Sequence, residues 1–415
     1  MKVSDYIVDF LIQHGISDVF GYPGGMVTHF MDSLSKRKEI NNHLNYHEQG
    51  CAFAACAYAQ ASNKIGVAYA TSGPGATNLI TGICNAYFDS IPVIFITGQV
   101  NTFEKNLPNR GRQNGFQETN IIDMIKPVTK YCEYIDSKEK IKYCLEKAII
   151  EAITDRPGPV LLDIPMNIFR EIINPNELVG YKIPEKKQDN DINIILEKLK
   201  KAKRPCILIG NGIKISNSIE KFKILAQELN IPIVSSMLAV DIIPNYNNYY
   251  GFIGAYGHRY ANFIIAKSDL VISIGSRMDI RQVGGKKENF APLAKIIKID
   301  IDNGELNSKI RDDQINLYAN IPDLIENLLN QKLKEFNNKY LEWIEICNQI
   351  KNKLKDLDKS NISDLIKKIS YQIPDNSIIT TDVGQNQVWI SQSFIFKENQ
   401  QLLTSGGHGA MGYSL

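Results

Sequence analysis

Glu48 follows His47 at the head of Gln49-Gly50-Cys51-Ala52-Phe53-Ala54-Ala55-Cys56-Ala57-Tyr58-Ala59, a run that is small or apolar on nearly every face. Such a run makes a helix buried all round. A carboxylate at the mouth of that helix is partly desolvated, which raises its pKa and lets it hold or pass a proton near neutral pH. The same residue also reads as a helix cap, a negative charge at the positive end of the dipole. This segment alone leaves both readings open. Small residues at Ala52, Ala55 and Ala59 leave room for a second element to approach closely. A zinc protease is excluded, because HExxH needs a histidine where the chain has Cys51.

A second segment joins strand, turn and helix: Val67-Ala68-Tyr69-Ala70-Thr71, then Ser72-Gly73-Pro74-Gly75-Ala76-Thr77-Asn78. Its glycines permit close backbone approach, and the helix that follows offers free N–H groups to an anion. GxGxxG fails at Asn78. A Walker loop fails as well, because no Lys-Ser/Thr pair follows. The turn therefore reads as a close-approach turn or a phosphate site. Further along, Gly210-Asn211-Gly212 follows an apolar strand and is as readily a plain turn as a nucleotide loop.

The elements that must position these groups come from a chain of 415 residues, too long for one ordinary core, so two or three domains are expected. Hydrophobic residues make up 44% and charged residues 22%, the balance of a globular protein. A net charge of +2, with Lys and Glu interspersed, gives no basic face for nucleic acid. The Lys-rich stretch from Glu197 to Arg204 follows a helical pattern and reads as solvated surface. Seven scattered cysteines, none in a CxxC pair, argue against a disulfide framework or zinc knuckle. The N-terminus MKVSDYIVDFLIQHG lacks a signal-peptide core, and no apolar run nears the ~18 residues of a membrane span, so a cytoplasmic protein is expected.

The pattern predicts an α/β fold of successive doubly wound parallel-sheet domains. The first (1–170) alternates short apolar strands at Val67–Thr71, Val93–Thr97 and Val160–Ile164 with helical segments. A polar, proline-containing linker is expected at Tyr181–Asp191. The second domain (190–330) carries strands at Pro205–Gly210, Ile231–Ser235, Leu270–Gly275 and Ile296–Ile301, with a helix through Ile219–Leu229. Lys332–Lys359 reads as surface helix and connection. The third block (360–415) opens with a helix at Ser363–Ile373 and a strand at Ser377–Asp382. About fifty residues are too few for a core of their own, so this last domain is expected to be truncated.

Taken in order, Tyr22-Pro23-Gly24-Gly25, His47-Glu48-Gln49-Gly50, Ala70-Thr71-Ser72-Gly73-Pro74-Gly75-Ala76-Thr77-Asn78, Gly98-Gln99-Val100, Phe116-Gln117-Glu118, Arg156-Pro157-Gly158-Pro159-Val160, Gly275-Ser276-Arg277-Met278-Asp279-Ile280-Arg281, Val383-Gly384-Gln385 and Gly409-Ala410-Met411-Gly412 resemble the acetolactate synthase large (catalytic) subunit family. The resemblance spans the whole chain, and the ordered set is far more specific than any one motif.

The resemblance implies a thiamine diphosphate enzyme. Glu48 then matches the glutamate that hydrogen-bonds the aminopyrimidine N1′, so that the cofactor's own imino nitrogen takes the C2 proton; the carbon so exposed attacks pyruvate, CO2 leaves, and a second 2-keto acid accepts the two-carbon unit to give 2-acetolactate. Gly24 and Gln117 would lie around the reacting atoms, and Pro74 and Asn78 would lie near the cofactor. Through the resemblance, the Gly73-Pro74-Gly75 turn moves from the diphosphate to the pyrimidine side, at a subunit interface. Gly384, Gln385, Gly409 and Met411 match positions that contact diphosphate and pyrimidine from a partner subunit's domain, which makes a homodimer the smallest active unit. Gly210, Gly212, Gly254, Gly257, Gly275, Arg277, Arg281 and Asp300 match the places where flavin-containing relatives hold FAD, a passenger in a reaction with no net redox step. Relatives bind Mg2+ through a Gly-Asp-Gly…Asn segment that would fall beyond Leu415, so no metal ligand is assigned here and this length of chain alone is expected to be inactive. A regulatory small subunit is a further implied partner.

The sequence departs from the family in several places. The loop from Asn101 to Gly115 is longer and more basic, with Lys105, Arg110 and Arg112. It reads either as a solvated insertion or as a recruiter of a larger anionic acceptor such as a nucleotide-linked keto sugar. Ile280 and Gln282 replace Asp and Val in the flavin stretch, Asn386 replaces His, and His408 replaces Leu. The competing functions are therefore a synthase-like transferase or decarboxylase with another acceptor, and a non-catalytic flavin-binding scaffold.

Overall fold

The computed structural model describes residues 1–105, 111–183 and 192–415. Arg110, and most of the linker expected at Tyr181–Asp191, lie outside the described residues. The chain forms two compact units: Met1–Glu185 with Ser405–Tyr413 and Leu415, and Lys186–Thr404 with Ser414. The residues read as the opening of a third domain are thus shared between these units.

The first unit is built on a six-stranded parallel sheet: β1 (Asp18–Gly21), β2 (Asn41–Leu44), β3 (Gly66–Ala70), β4 (Val93–Gln99), β5 (Tyr131–Tyr134) and β6 (Val160–Pro165), in the order β2-β1-β3-β4-β6-β5. Successive side chains on a strand face opposite sides. Val67 and Tyr69 of β3 accordingly join one core with Ile94, Ile96 and Leu162, while Ala68 and Ala70 join another with Phe95 and Leu161. Helices cover both faces, as the nearly unbroken apolar strands require. The Glu48–Ser62 helix lies in the second of these cores with the Ile80–Asp89 helix beside it.

The close approach expected at the alanines is present. A Cβ on Gly82 would stand 2.2 Å from that of Ala52, and one on Gly66 would stand 2.2 Å from the carbonyl oxygen of Ala55.

The second unit repeats the plan with β7 (Pro205–Ile209), β8 (Ile233–Ser235), β9 (Tyr249–Phe252), β10 (Leu270–Ile274), β11 (Lys295–Asp300) and β12 (Ile315–Tyr318), ordered β12-β11-β10-β7-β8-β9 and parallel throughout. Ile207 and Ile209 face one core and Cys206 and Leu208 the other. The unit also carries the short parallel pair β13 (Ile378–Thr380) and β14 (Gln401–Leu403).

The Lys332–Lys359 stretch is more than surface and connection. Its Leu341–Leu354 helix buries Trp343, Ile344 and Cys347, and the Trp343 indole donates to the Pro205 carbonyl at 3.0 Å. In the Asn193–Lys201 helix Ile195 and Leu199 are buried while Lys200 and Lys201 stay in solvent. All seven cysteines are free thiols. Among the described residues no helix is long and apolar enough to cross a membrane.

Candidate functional site

In the first sheet the chain runs outward from β1 to β2, then returns to the other side of β1 for β3. Strand order reverses there, and the crevice beyond the C-terminal ends of such strands is where open α/β sheets bind ligands. Three loops meet at that point: Tyr22–Gly25 after β1, Asn45–His47 after β2, and Thr71–Gly73 after β3.

Glu48 is the first residue of its helix and is buried. It does not cap that helix: the N-cap is His47, whose Nδ1 accepts from the Gln49 N–H at 3.1 Å. Asn78 Nδ2 instead donates to Glu48 Oε2 at 2.9 Å. The other oxygen, Oε1, faces Gly75, where a Cβ would approach it to 3.2 Å. Glu48 stands in the first turn, where its charge still faces the positive end of the dipole, while the side-chain cap comes from His47 and the carboxylate is held by a residue 30 positions away.

Cys51, one turn in, has its thiol pushed up to about 12 by burial and then by the charge of Glu48, so it stays protonated and is no nucleophile. Asn45 Oδ1 and Ser72 Oγ are buried at this edge without a hydrogen-bond partner. Buried polar atoms are rarely left so, and a bound polar group is one thing that satisfies them.

The remaining first-unit candidates converge here. Gly24 lies against Thr71, whose side chain a Cβ would meet at 2.3 Å, and Thr71 Oγ1 accepts from the Met26 N–H at 3.2 Å. Pro74 and Asn78 bound the short helix that follows the turn. Gly73 has φ +66° and packs on Gln117, where a Cβ would come within 2.8 Å of the Gln117 Cβ. Gln117 itself has φ +62°, a conformation a side chain rarely adopts and one that clusters at functional sites. Gly24, Glu48, Pro74, Asn78 and Gln117 thus form one constellation.

Gly409 and Met411 belong to the Ser405–Tyr413 segment, which docks on the first unit elsewhere. Asp89 accepts the N–H groups of Gly406 at 2.9 Å and of Gly407 at 2.7 Å. Ala410 and Tyr413 are buried among the helices, Tyr413 ring to ring with Phe53 at 5.4 Å, and the Tyr413 hydroxyl bonds to Gln60. Met411 is 79% exposed. Sequence reasoning did not single out Asp89 or Thr71; the only signal was a carboxylate closing an otherwise apolar helix.

In the second unit Gly384, with φ +97°, precedes the Gln385–Ser393 helix. Of the flavin candidates, Gly210, Gly212, Gly275 and Arg277 follow the strands at that sheet's own reversal, between β7 and β10, while Gly254 and Gly257 follow the edge strand β9 and Asp300 ends β11. Gly210 and Gly212 after β7 pack on Gly275 after β10, with a Cβ on Gly210 falling 2.1 Å from the Gly275 oxygen. Gly254 packs on the carbonyl of Arg281, which also accepts the Ala255 N–H at 2.8 Å, and Gly257 packs on Phe252. Each of these glycines lies against the domain's own backbone. Asp300 turns back on its own loop, accepting the Asp302 N–H at 3.0 Å. The Arg277 carbonyl accepts from Lys298, a fully buried lysine whose pKa is lowered by burial. Among the described residues no group of three or more His, Cys, Asp or Glu converges to hold a metal.

Comparison with known proteins matches the three models of the thiamine pyrophosphate enzymes: the N-terminal TPP binding domain at 1–124, the central domain at 192–328 and the C-terminal TPP binding domain at 382–415. The chain is 34% identical over 423 residues to the acetolactate synthase large subunit of Lactococcus lactis, covering 99% of this chain and 72% of that protein. It is 34% identical over 421 residues to the isozyme 1 large subunit of Escherichia coli, covering 99% of this chain and 73% of that one. Against acetolactate synthase 1 of Nicotiana tabacum it is 34% identical over 432 residues, and it spans only 63% of that relative's length.

Proposed function

The chain belongs to the thiamine pyrophosphate enzymes, as a relative of the acetolactate synthase large subunits, and from that membership we propose that the protein decarboxylates pyruvate and joins the two-carbon unit to a second 2-keto acid, giving 2-acetolactate. The observation that carries this reading is the state of Glu48: buried, with Oε2 tied to Asn78 and Oε1 left beside the glycine turn.

Thiamine diphosphate, when bound, supplies the carbanion-stabilising chemistry that 2-keto acid decarboxylation needs. The residues present fit it: Glu48 Oε1 is the atom that would hold the aminopyrimidine, and the unpartnered Asn45 Oδ1 and Ser72 Oγ offer further polar contacts at the same edge. Asn78 holds Oε2, so Oε1 is the oxygen left facing the glycine turn. Gln117, packed on the turn at Gly73, would lie near the reacting groups.

Around this constellation Tyr46 is 91% exposed and Phe116 81% exposed, and every residue of β2 is exposed. Large exposed aromatics beside a buried functional carboxylate are features of an interface core. The Ser405–Tyr413 segment, which carries Gly409 and Met411, reaches the helix at Gln60 through the Tyr413 hydroxyl, about 18 Å from Glu48 at 1.5 Å per residue. Both features support a homodimer in which a second copy completes each site. FAD in the second unit is supported by the position of Gly210–Gly212 and Gly275–Arg277 at a strand reversal; visible flavin absorbance after purification tests it. Mg2+ is proposed with the diphosphate.

Incubating the full-length protein with labelled pyruvate, thiamine diphosphate and Mg2+ is expected to yield acetolactate. CO2 without acetolactate would replace the synthase reading with a decarboxylase or a transferase to another keto acceptor, a reading for which the departures at Asn386 and His408 leave room.

A further inference from the structure

β6 reads Val-Leu-Leu-Asp-Ile-Pro, and Asp163 is the one charged residue in it. The side chain is buried, between β4 and β5. Its Oδ1 accepts from Thr97 Oγ1 at 2.7 Å and its Oδ2 from Gln99 Nε2 at 3.0 Å, both partners on β4. Gln99 is itself fully committed. Its Nε2 also donates to the Thr119 carbonyl at 2.8 Å, and its Oε1 accepts from the Val100 N–H at 2.9 Å.

An amide has two faces, and only one orientation serves all three partners. A flipped Gln99 would set its oxygen against the carboxylate and its NH2 against the Val100 N–H, and would leave the Thr119 carbonyl without a donor. Asp163 therefore decides which way Gln99 points, and Gln99 decides whether the backbone at Thr119 is held. Thr119 lies two residues from Gln117, which keeps its left-handed conformation against Gly73.

We propose that Asp163 is a positioning residue: through Gln99 it fixes the loop that presents Gln117 to the turn carrying Pro74 and Asn78. The assignment rests on the reading of that constellation as the thiamine diphosphate site.

Burial pushes the Asp163 carboxyl up to about 7, partly offset by the Gln99 and Thr97 hydrogen bonds and by Lys105. Lys105 and Tyr134 are the titratable groups that face it. The anchor accepts either protonation state, because the Thr97 hydroxyl can donate or accept while Oδ2 stays an acceptor toward Gln99.

That symmetry supplies the test. Asp163→Asn can keep an oxygen toward Gln99 and turn its NH2 to the Thr97 hydroxyl, so it should preserve the anchor. Asp163→Leu cannot. Hydrogen–deuterium exchange of the whole protein without cofactor is expected to show residues 116–120 exchanging about tenfold faster in Asp163→Leu, the scale of losing one hydrogen bond, and within about twofold of wild type in Asp163→Asn. Activity with pyruvate is expected to follow: kcat down about tenfold for Asp163→Leu with KM little changed, and restored in Asp163→Asn.

If Asp163→Leu does not fold, Gln99→Met replaces it and is expected to speed exchange over the same residues. The proposal is overturned if neither variant changes exchange there, or if Asp163→Asn loses as much as Asp163→Leu. If exchange behaves as expected but wild type does not bind thiamine diphosphate, the site reading fails while the anchor stands.

Discussion

At the scale of single residues, Glu48 and Asp163 show how far type and spacing carry. Both are carboxylates in apolar company, and only the first is announced by a motif. The contact that holds the Glu48 carboxylate was not legible locally, because it comes from Asn78, a residue on another element. Asp163 was hidden in a strand read by its apolar neighbours, and one acid in such a run is the signal that it has partners. Glu48→Gln is expected to lower turnover about 100-fold or more, the scale for a positioned proton-transfer group. Asn78→Ala, which leaves the carboxylate in place but unrestrained, should cost distinctly less. Steady-state kinetics with saturating cofactor would read both, and an unchanged rate in Glu48→Gln would favour a non-catalytic scaffold.

At the scale of elements, the buried strands β3, β4, β6, β7, β8, β10 and β11 were legible because an apolar run between turns leaves few choices, whereas β1 and the edge strands β2, β5, β9 and β12 were not read from the pattern. The Ile219–Leu229 helix lies where its period put it. The Lys332–Lys359 stretch was harder to read: its lysines conceal the single buried face of Trp343, Ile344 and Cys347. Side-chain commitments in the flavin region were not legible either, since a glycine that admits a ligand and one that admits a neighbouring strand look alike in sequence.

Contact between the Glu48–Ser62 and Ile80–Asp89 helices gives a sharp prediction. In an ordinary helix interior, replacing Gly82 by alanine gains about 1 kcal/mol of propensity. Here the new methyl would lie 2.2 Å from the Ala52 Cβ, and overpacking of a tight core costs about 1–3 kcal/mol. Gly82→Ala should therefore be neutral to destabilising in urea melts. A clear gain in stability would show that the helices can part freely.

At the scale of the whole molecule, exposed aromatics beside a buried carboxylate are an expensive surface for a monomer. Tyr46→Glu should shift the sedimentation equilibrium toward monomer and reduce turnover together, since the proposed site needs both copies. If the variant stays dimeric and active, the interface lies elsewhere. The consecutive domains were legible in the sequence; the return of the Ser405–Tyr413 segment to the first unit was not.

That return has a consequence for how the chain is made. Asp89 must wait for Gly407, 318 positions later, and at about 5–20 residues per second the ribosome delivers it roughly 15–60 s after Asp89 has emerged. Through that interval the helices that will enclose Ala410 and Tyr413 present an unfilled apolar seat. Of the two units, the one whose synthesis starts first closes only after nearly all of the other has been made.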